Sequence, residues 1–239
     1  MTPAEALETI RRLASAGLFI ITFHAHARMR QRNILLRDVR CALTAALTCA
    51  PDGPKWQVTG PDFDGDALTC VVVIDGTVVM VTVEMANMNR CTKCGKLDLA
   101  KGKQPIQLDV GDRSFEGHVQ GWACASCNEL YYDGPDLGAF EEAAATWLAE
   151  HGVRTPEELK FMRKAAGIRA ADLASWLGVT PETVSHWETG KHAPDVVMRS
   201  VIARIVVDTL RGESVTRDFL QVQGKPEGTR KVRLDRDAA

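Results

Sequence analysis

The sequence predicts a multidomain α+β protein with an antiparallel α+β domain at the N-terminus, a small four-cysteine module in the middle and an all-α domain at the C-terminus. Two valine-rich runs flank Asp75-Gly76, a dipeptide that suits the tight turn of a β-hairpin. Two Cys-x-x-Cys pairs follow, and beyond residue 136 apolar residues recur at helical spacing. A chain of 239 residues is long enough for two compact domains or three small ones.

The N-terminal domain is expected to pack its helices on one side of three or four antiparallel strands. PDGP at 51–54 is expected to break the second amphipathic helix, and WQVTG after it to form a strand. The elements predicted before residue 51 are a helix at 3–16, a strand at 18–23, a basic helix from His24 to about Arg32 and an amphipathic helix at 35–47.

The central segment has short β-prone pieces separated by glycines, and too few aliphatic residues for a core of its own. A helix rich in Ala and Glu follows as a linker, then a set of helices, then a tail that starts as a strand or short helix. We expect the last ~15 residues to be mobile. The predicted domains are 1–86, 87–135 (the cysteine module), 136–154 (the linker helix), 155–212 (the helical domain) and 213–239 (the tail).

Composition limits the function classes. A formal net charge of -2 argues against a uniformly basic nucleic-acid-binding protein and leaves room for a local basic patch. No apolar run reaches the roughly 18 residues of a membrane span, and the first residues lack the layout of a signal peptide. We therefore expect a soluble, cytoplasmic chain without a membrane partner.

The two Cys-x-x-Cys pairs have the spacing of a metal site. Each pair places two thiolates toward one ion, and two pairs complete a tetrahedral cage with no open position, so the ion is expected to be structural. Zinc is the expected ion, one per chain, and iron fits the same geometry; two redox pairs or unrelated thiols are the alternative. His118, Cys41, Cys49 and Cys70 are expected to stay outside the site, whose ligands are Cys91, Cys94, Cys124 and Cys127.

The stretch from Leu159 to Pro194 has the pattern of a helix-turn-helix. Gly178 supplies the tight turn, Thr180 the N-cap of the next helix and Pro181 its first position. It resembles the Xre/Cro-like family, in which the helix after the turn enters the major groove of double-stranded DNA and the N-terminus of the leading helix faces phosphates. A helical bundle used only for protein contacts is the alternative. The resemblance implies DNA contacts from Thr180, Glu182, Thr183, Ser185, His186 and Lys191, and more loosely from Arg163, Lys164 and Arg169.

The helix at 195–210 is apolar nearly all round. Because helix-turn-helix proteins read paired half-sites of a palindromic operator, this C-terminal helix is a candidate homodimer interface. A last core helix is the alternative.

The order of cysteine module, linker helix and helix-turn-helix resembles the MqsA family of antitoxins, also called YgiT-type zinc-finger antitoxins. The motifs MNRCTKCG, GWACASCNE and LGVTPETVSHWETGKHAPD carry this resemblance. It implies a zinc-binding autorepressor in a toxin-antitoxin system. ITFHAHARMRQRNILLRDVRCAL and the hairpin behind it resemble a small bacterial domain related to RelE/MqsR-like toxins, so Met88 looks like the former start of an antitoxin to which a toxin-like domain became fused.

The basic helix is a candidate ribonuclease site, which gives RNA or the ribosome as a second candidate partner. A histidine can act as general base on a ribose hydroxyl while arginines stabilise the phosphate, and the candidate residues are His24, His26, Arg28 and Arg32, with Arg30 beside them. The alternatives are an exposed basic helix, or an anchor for an acidic loop such as PDFDGD at 61–66. Three hypotheses follow: a DNA-binding regulator, a metal-independent endoribonuclease regulated by its C-terminal half, and a protein-binding adaptor.

Overall fold

The computed structural model describes residues 1–75, 78–81, 91 and 93–224. The predicted fusion point at Met88 and the last fifteen residues, 225–239, lie outside the described residues. Within the part of the chain that the structure describes, no helix has the length and apolarity needed to cross a membrane.

The N-terminal part has the predicted order of a helix, a strand, two helices and a run of strands, with one strand, β2, that was not predicted. Its first helix begins with a capping box, in which the Thr2 side chain accepts from the Glu5 N–H and the Glu5 carboxylate accepts from the Thr2 N–H. The buried face of that helix includes Ile10 and Leu13. The elements are α1 Pro3–Ser15, β1 Phe19–Thr22, α2 Phe23–Gln31, α3 Leu36–Thr44, β2 Thr48–Asp52, β3 Lys55–Pro61, β4 Ala67–Asp75 and β5 Val78–Val81.

Three antiparallel hairpins build this part of the sheet, between β2 and β3, between β3 and β4 and between β4 and β5. The predicted hairpin of β4 and β5 is confirmed, but Asp75 pairs with Val78 and therefore ends β4 instead of taking the turn position predicted for it; the residues between the two lie outside the described residues. The hairpin of β2 and β3 was not predicted, because PDGP was interpreted only as the end of a helix. In the structure Asp52 ends β2 and pairs with Lys55 of β3. Gly53, at φ 61°, takes the first position of the two-residue turn, where the positive φ of a II′ turn is needed.

The central segment forms a long hairpin rather than short strands. Its two strands pair over their whole length, from Leu99 opposite Cys124 to Val110 opposite Arg113. Glycines within them interrupt the alternating pattern that identifies a strand from sequence, although they do not interrupt the pairing. The strands are β6 Leu99–Val110, β7 Arg113–Cys124 and, after the second cysteine pair, β8 Leu130–Asp133.

All eight strands of the described residues belong to one sheet. The order is β2-β3-β4-β5-β1-β8-β7-β6. Strand β1 runs parallel to β5, which departs from the antiparallel prediction; the intervening helices and strands give the chain the crossover that a parallel pair needs. On its other side β1 pairs with β8, with Ile21 opposite Tyr132. The sheet therefore continues across the predicted boundary between residues 86 and 87.

The central strands bury their aliphatic side chains in the cores of their neighbours. Ile106 and Val119 join a core formed with α1, α2 and α3. Leu108 and Val110 join a second core formed with the C-terminal helices. This is how a segment without a core of its own packs in the folded chain.

The C-terminal part is helical, as predicted. The helix predicted as a linker is buried along one side, with Leu137 in the first core and Leu148 in the second. The start of the tail is a helix rather than a strand. The helices are α4 Gly134–His151, α5 Pro156–Ala165, α6 Ala170–Leu177, α7 Pro181–Glu188, α8 Val196–Leu210 and α9 Val215–Gly224.

Candidate metal centre and DNA-binding surface

The four predicted cysteine ligands meet at one point. Their sulfurs lie within 4.8 Å of one another, with 3.4 Å between the Sγ atoms of Cys91 and Cys127 and 3.6 Å between those of Cys94 and Cys124. A tetrahedral zinc ion with sulfur ligands at ~2.3 Å separates those sulfurs by ~3.8 Å. The cluster therefore has the dimensions of a four-thiolate metal cage.

Both cysteine pairs form the same turn. The N–H of Gly95 donates to the Cys91 carbonyl at 2.8 Å, and the N–H of Asn128 donates to the Cys124 carbonyl at 2.8 Å. The residue after each second cysteine is left-handed, with φ 74° at Gly95 and 58° at Asn128, a conformation that glycine and asparagine adopt most readily. Backbone N–H groups inside both turns donate to the cysteine sulfurs, an arrangement that is usual in Cys-x-x-Cys metal sites.

The electrostatics of the cluster favour a bound cation. Burial raises the pKa of Cys91, but hydrogen bonds from the Tyr131 hydroxyl and from backbone N–H groups outweigh it and lower that pKa to about 6. A backbone N–H from Glu129 lowers the pKa of Cys127, whereas burial and the neighbouring sulfurs raise it to about 12. Crowded thiolates keep their charge when a cation lies among them, so the donor set fits zinc or iron.

The cluster lies within the sheet rather than in a separate module. Cys91 and Cys124 are buried together with Ile20 of β1, Val73 of β4 and Trp122 of β7. The candidate metal site is therefore packed against strands of the N-terminal part. His118 is exposed on β7, Cys70 is buried and Cys41 and Cys49 are half-buried, all four outside the cluster.

The helix-turn-helix forms at the predicted residues. Helix α6 ends at Gly178, which is left-handed with φ 67°. The Thr180 side chain caps α7 by accepting from the Thr183 N–H at 3.3 Å, and Pro181 takes the first helical position. Val184 and Trp187 are buried, which fixes the orientation of α7 against the other helices.

The opposite side of α7 presents the predicted DNA-binding side chains. Hydrogen bonding by its own N–H and by the Thr180 hydroxyl lowers the pKa of Glu182, which keeps its carboxylate charged. His186 lies with its ring centroid 5.5 Å from that of His192. Thr180, Glu182, Ser185 and Lys191 are exposed, and Thr183 and His186 are half-buried.

Two of the three looser phosphate contacts are not on the surface. Arg163 and Lys164 of α5 are buried, with 0% and 3% of each residue exposed. The Arg163 guanidinium donates to both Glu188 oxygens, at 2.5 and 2.9 Å, and to both Asp64 oxygens at 2.8 Å. The Lys164 Nζ lies 2.8 Å from an oxygen of Asp38. Arg169, by contrast, is exposed and pairs with Asp172 at 2.7 Å.

The acidic loop at 61–66 therefore does not bind the basic helix α2, the partner suggested from the sequence. The loop, whose Asp62 and Asp64 contact Lys164 and Arg163, binds α5 of the helix-turn-helix rather than the basic helix α2. Its density of aspartates was the signal in the sequence, but its partner lies about a hundred residues away along the chain, at a separation of 99 for Asp64 and Arg163.

The candidate catalytic residues are divided between two environments. His24 and Arg28 are exposed to solvent. His26 is buried and Arg32, the C-cap residue of α2, is exposed; both line a cavity of about 200 Å³. Arg30 lines the same cavity and is ion-paired with Asp109 of β6. The structure thus brings His26 together with Arg32 and separates that pair from the other two.

His26 is neutral at physiological pH. Burial, and then the charge of Arg30, lower its pKa to about 4. Its Nε2 atom has no hydrogen-bond partner among the described residues, and its ring lies edge-on to Tyr132 with centroids 5.3 Å apart. The other cavity walls come from β6, α4, α5 and the end of α7, including Leu108, Glu141, Phe161 and Glu188.

The comparisons agree with the geometry of the C-terminal part. Residues 157–207 match a family described as a helix-turn-helix domain. No curated protein matches the chain. A helix-turn-helix domain with an exposed polar face on α7, together with a four-cysteine cluster able to bind a metal ion, supports a DNA-binding regulator with a potential metal site.

Proposed function

We propose that this protein is a zinc-containing transcriptional autorepressor of the MqsA antitoxin type, fused to a toxin-related N-terminal domain. Helix α7 binds in the major groove of the operator, and the four-thiolate ion has a structural role. The observation that carries the proposal is the exposed polar face of α7 behind a glycine turn, inside the segment that matches a helix-turn-helix domain.

The exposed side chains of α7 have the chemistry of base readout. The charged carboxylate of Glu182 is an acceptor for a cytosine amino group, and His186 can reach a purine edge. Lys191, just past the helix, is exposed and available to a phosphate. Since the net charge is only -2, we expect modest nonspecific affinity and binding that depends on these few contacts.

The test is a fluorescence-anisotropy titration of the full chain against a duplex from the region upstream of its own reading frame. Wild type is expected to bind with an affinity that falls as salt rises. Glu182→Ala and His186→Ala are each expected to weaken binding by roughly 1–3 kcal/mol, the usual value of one base contact. Glu116→Ala, an exposed residue of β7 with the same change of charge as Glu182→Ala, is the matched control.

A salt-sensitive complex that weakens in both α7 variants and not in the control supports the proposal. Binding that is equal in all four proteins would place the DNA contact elsewhere. Absence of any salt-sensitive complex would favour the protein-binding adaptor.

We further propose a homodimer through the C-terminal helices. Most of the apolar residues of α8 belong to the second core, but Val196 and Val197 are exposed, as are Val215, Phe219 and Val222 at helical spacing along α9. Operators of helix-turn-helix proteins pair two half-sites, so a two-fold contact of these faces fits the function. Analytical ultracentrifugation of wild type and Phe219→Glu tests it, with a concentration-dependent dimer expected for wild type and a monomer for the variant.

An endoribonuclease is the second candidate, favoured by the buried His26, whose Nε2 atom has no partner within the described part of the chain, beside two arginines in one cavity. A neutral imidazole is the form that a general base requires. Incubation of the full chain with ribosomal RNA tests it: cleavage lost in His26→Gln and retained in His24→Gln, which changes an exposed histidine of the same helix, would support it. Intact RNA with all three proteins would argue against it.

A further inference from the structure

The acidic loop, residues 61–66, contacts the helix-turn-helix at the start of its leading helix, α6. The two carboxylate oxygens of Asp64 each accept from one guanidinium nitrogen of Arg163 at 2.8 Å. The same carboxylate also accepts from the N–H of Ala170, the first residue of α6, at 3.4 Å. The Asp64 carboxylate thus forms two parallel hydrogen bonds with the Arg163 guanidinium and a third with the N-terminus of α6.

The loop is organised to present this carboxylate. The side chain of Asp62 accepts from the N–H groups of Asp64 and Asp66, both at 2.9 Å, and so shapes the turn from inside. Asp38 of α3 accepts from the Phe63 N–H at 3.3 Å and pairs with Lys164. The loop and the start of α3 therefore meet α5 and α6 as one acidic surface.

Arg37 attaches the same surface to the end of α5. It donates to the Ala165 carbonyl at 3.1 Å and lies over the Phe63 ring at 5.5 Å. The contact between the N-terminal part and the helix-turn-helix therefore combines ion pairs with a hydrogen bond from an arginine side chain to a backbone carbonyl.

The groups that Asp64 satisfies are the kind that bind a phosphate. A guanidinium binds carboxylate and phosphate oxygens through the same pair of parallel hydrogen bonds. The N-terminus of a helix binds either anion through its free N–H groups and its dipole. Helix N-termini and arginines are also common donors to the DNA backbone.

We propose that the acidic loop occupies a site for a DNA-backbone phosphate at the start of α6, so that the N-terminal part and the operator compete for one surface of the helix-turn-helix. This inference rests on the proposed DNA-binding function. Operator binding then requires the loop to leave α6, and the measured affinity is reduced by the fraction of molecules in which it has left. Anything that displaces the loop strengthens repression.

The first experiment compares Asp64→Ala with wild type in the anisotropy titration on the upstream duplex. Asp66→Ala is the matched control, because it removes one charge from the same loop and its side chain is exposed, with no ion pair to α5 or α6 found among the described residues. We expect Asp64→Ala to bind at least about tenfold more tightly than wild type and than Asp66→Ala. Circular dichroism checks that each variant is folded.

The second experiment needs no substitution and applies even if Asp64→Ala fails to fold. Hydrogen exchange of wild-type backbone amides is measured with and without the duplex. DNA is expected to increase exchange at 61–66 and to leave 170–177 protected.

Equal affinities of wild type, Asp64→Ala and Asp66→Ala, or DNA-bound protein in which 61–66 exchange no faster, would overturn the inference and leave the proposed function standing. If no protein binds the duplex, Asp64→Ala included, both the proposed function and the inference are wrong.

Discussion

The Nζ atom of Lys164 lies 2.8 Å from the Asp38 Oδ1 atom, and neither side chain is more than 4% exposed. Lys164 belongs to α5, within the segment that matches a helix-turn-helix domain, and Asp38 to α3 of the N-terminal part. Asp38 also accepts from the Leu35 N–H at 2.9 Å and thereby caps its own helix. A buried ion pair of this kind joins two parts that the sequence predicts as separate domains.

Removing one member of this pair is expected to destabilise the protein strongly. In Lys164→Met the Asp38 carboxylate stays buried without its cation, and such losses cost roughly 3–5 kcal/mol of the free energy of unfolding. Urea denaturation measures the loss. Lys160→Met on the same helix, whose side chain is half-exposed, is expected to change stability by roughly 0.5 kcal/mol or less.

The double variant Asp38→Asn with Lys164→Met separates the pair from its surroundings. Asparagine keeps the acceptor that caps α3, so the double variant should be more stable than Lys164→Met alone. A double variant as unstable as the sum of both single variants would mean that the two charges do not interact.

Glu141 is expected to make stability depend on pH. Burial raises its pKa from 4.5 to about 8, although the Leu36 N–H donates to it, so the folded protein carries it protonated at pH 7. The stabilisation that the protonated Glu141 gives the folded protein is fully present below pH 4.5. It decreases as the pH rises to about 8, by up to roughly 1.4 kcal/mol of the free energy of unfolding per pH unit. Glu141→Gln should lose this dependence and exceed wild type in stability at pH 8.

Chemical denaturation between pH 5 and 8 measures this dependence. Glu142→Gln is the control, since Glu142 is the next residue in the chain and its own side chain is 50% exposed. The same pH slope in wild type and Glu141→Gln would show that the buried carboxyl titrates normally.

Two glycines that face each other across the β6–β7 ladder should differ sharply in tolerance. A Cβ at Gly121 would lie 2.0 Å from the Tyr131 carbonyl oxygen, whereas at Gly102 its nearest neighbour is 3.9 Å away. Gly121→Ala is therefore expected to lower the free energy of unfolding by roughly 1–3 kcal/mol, and Gly102→Ala to have the smaller effect of a strand substitution. Equal effects in thermal denaturation would contradict the close approach of β7 and β8.

Metal removal should loosen the middle of the sheet first. Cys124 ends β7 and Cys127 lies just before β8. A bound ion would therefore fix the turn that connects the long hairpin to β8, the strand that pairs with β1. Elemental analysis should return about one zinc or iron ion per chain. After chelation or in Cys94→Ser, hydrogen exchange should increase at 99–133 before it increases in α5 to α8.

Cys70→Ala, a buried thiol outside the cluster, is the control for that experiment and should keep the ion. A chain that holds neither metal and still protects its central strands would show that the cage is not structural.

Local signals in the sequence were sufficient for most helices and for the four-cysteine cluster. Helix starts are marked by caps such as Thr155 and Thr180, the end of α6 by Gly178, and the cage by cysteine spacing. Each of these depends on residues close together in the chain, so it can be predicted without the tertiary fold.

The contacts between distant segments could not be predicted in this way. Arg163 was predicted at the DNA surface from the resemblance to the Xre/Cro-like family, and only the fold shows Asp64 beside it. The pairing of β1 with β8 and the separation of His24 from His26 likewise depend on tertiary packing.

Genomic footprinting of the full chain tests most directly whether its helix-turn-helix binds DNA. We expect protection of an inverted repeat upstream of the chain's own gene, lost when Glu182 and His186 are both replaced by alanine. Protection that survives this replacement, or no protected site at all, would contradict it.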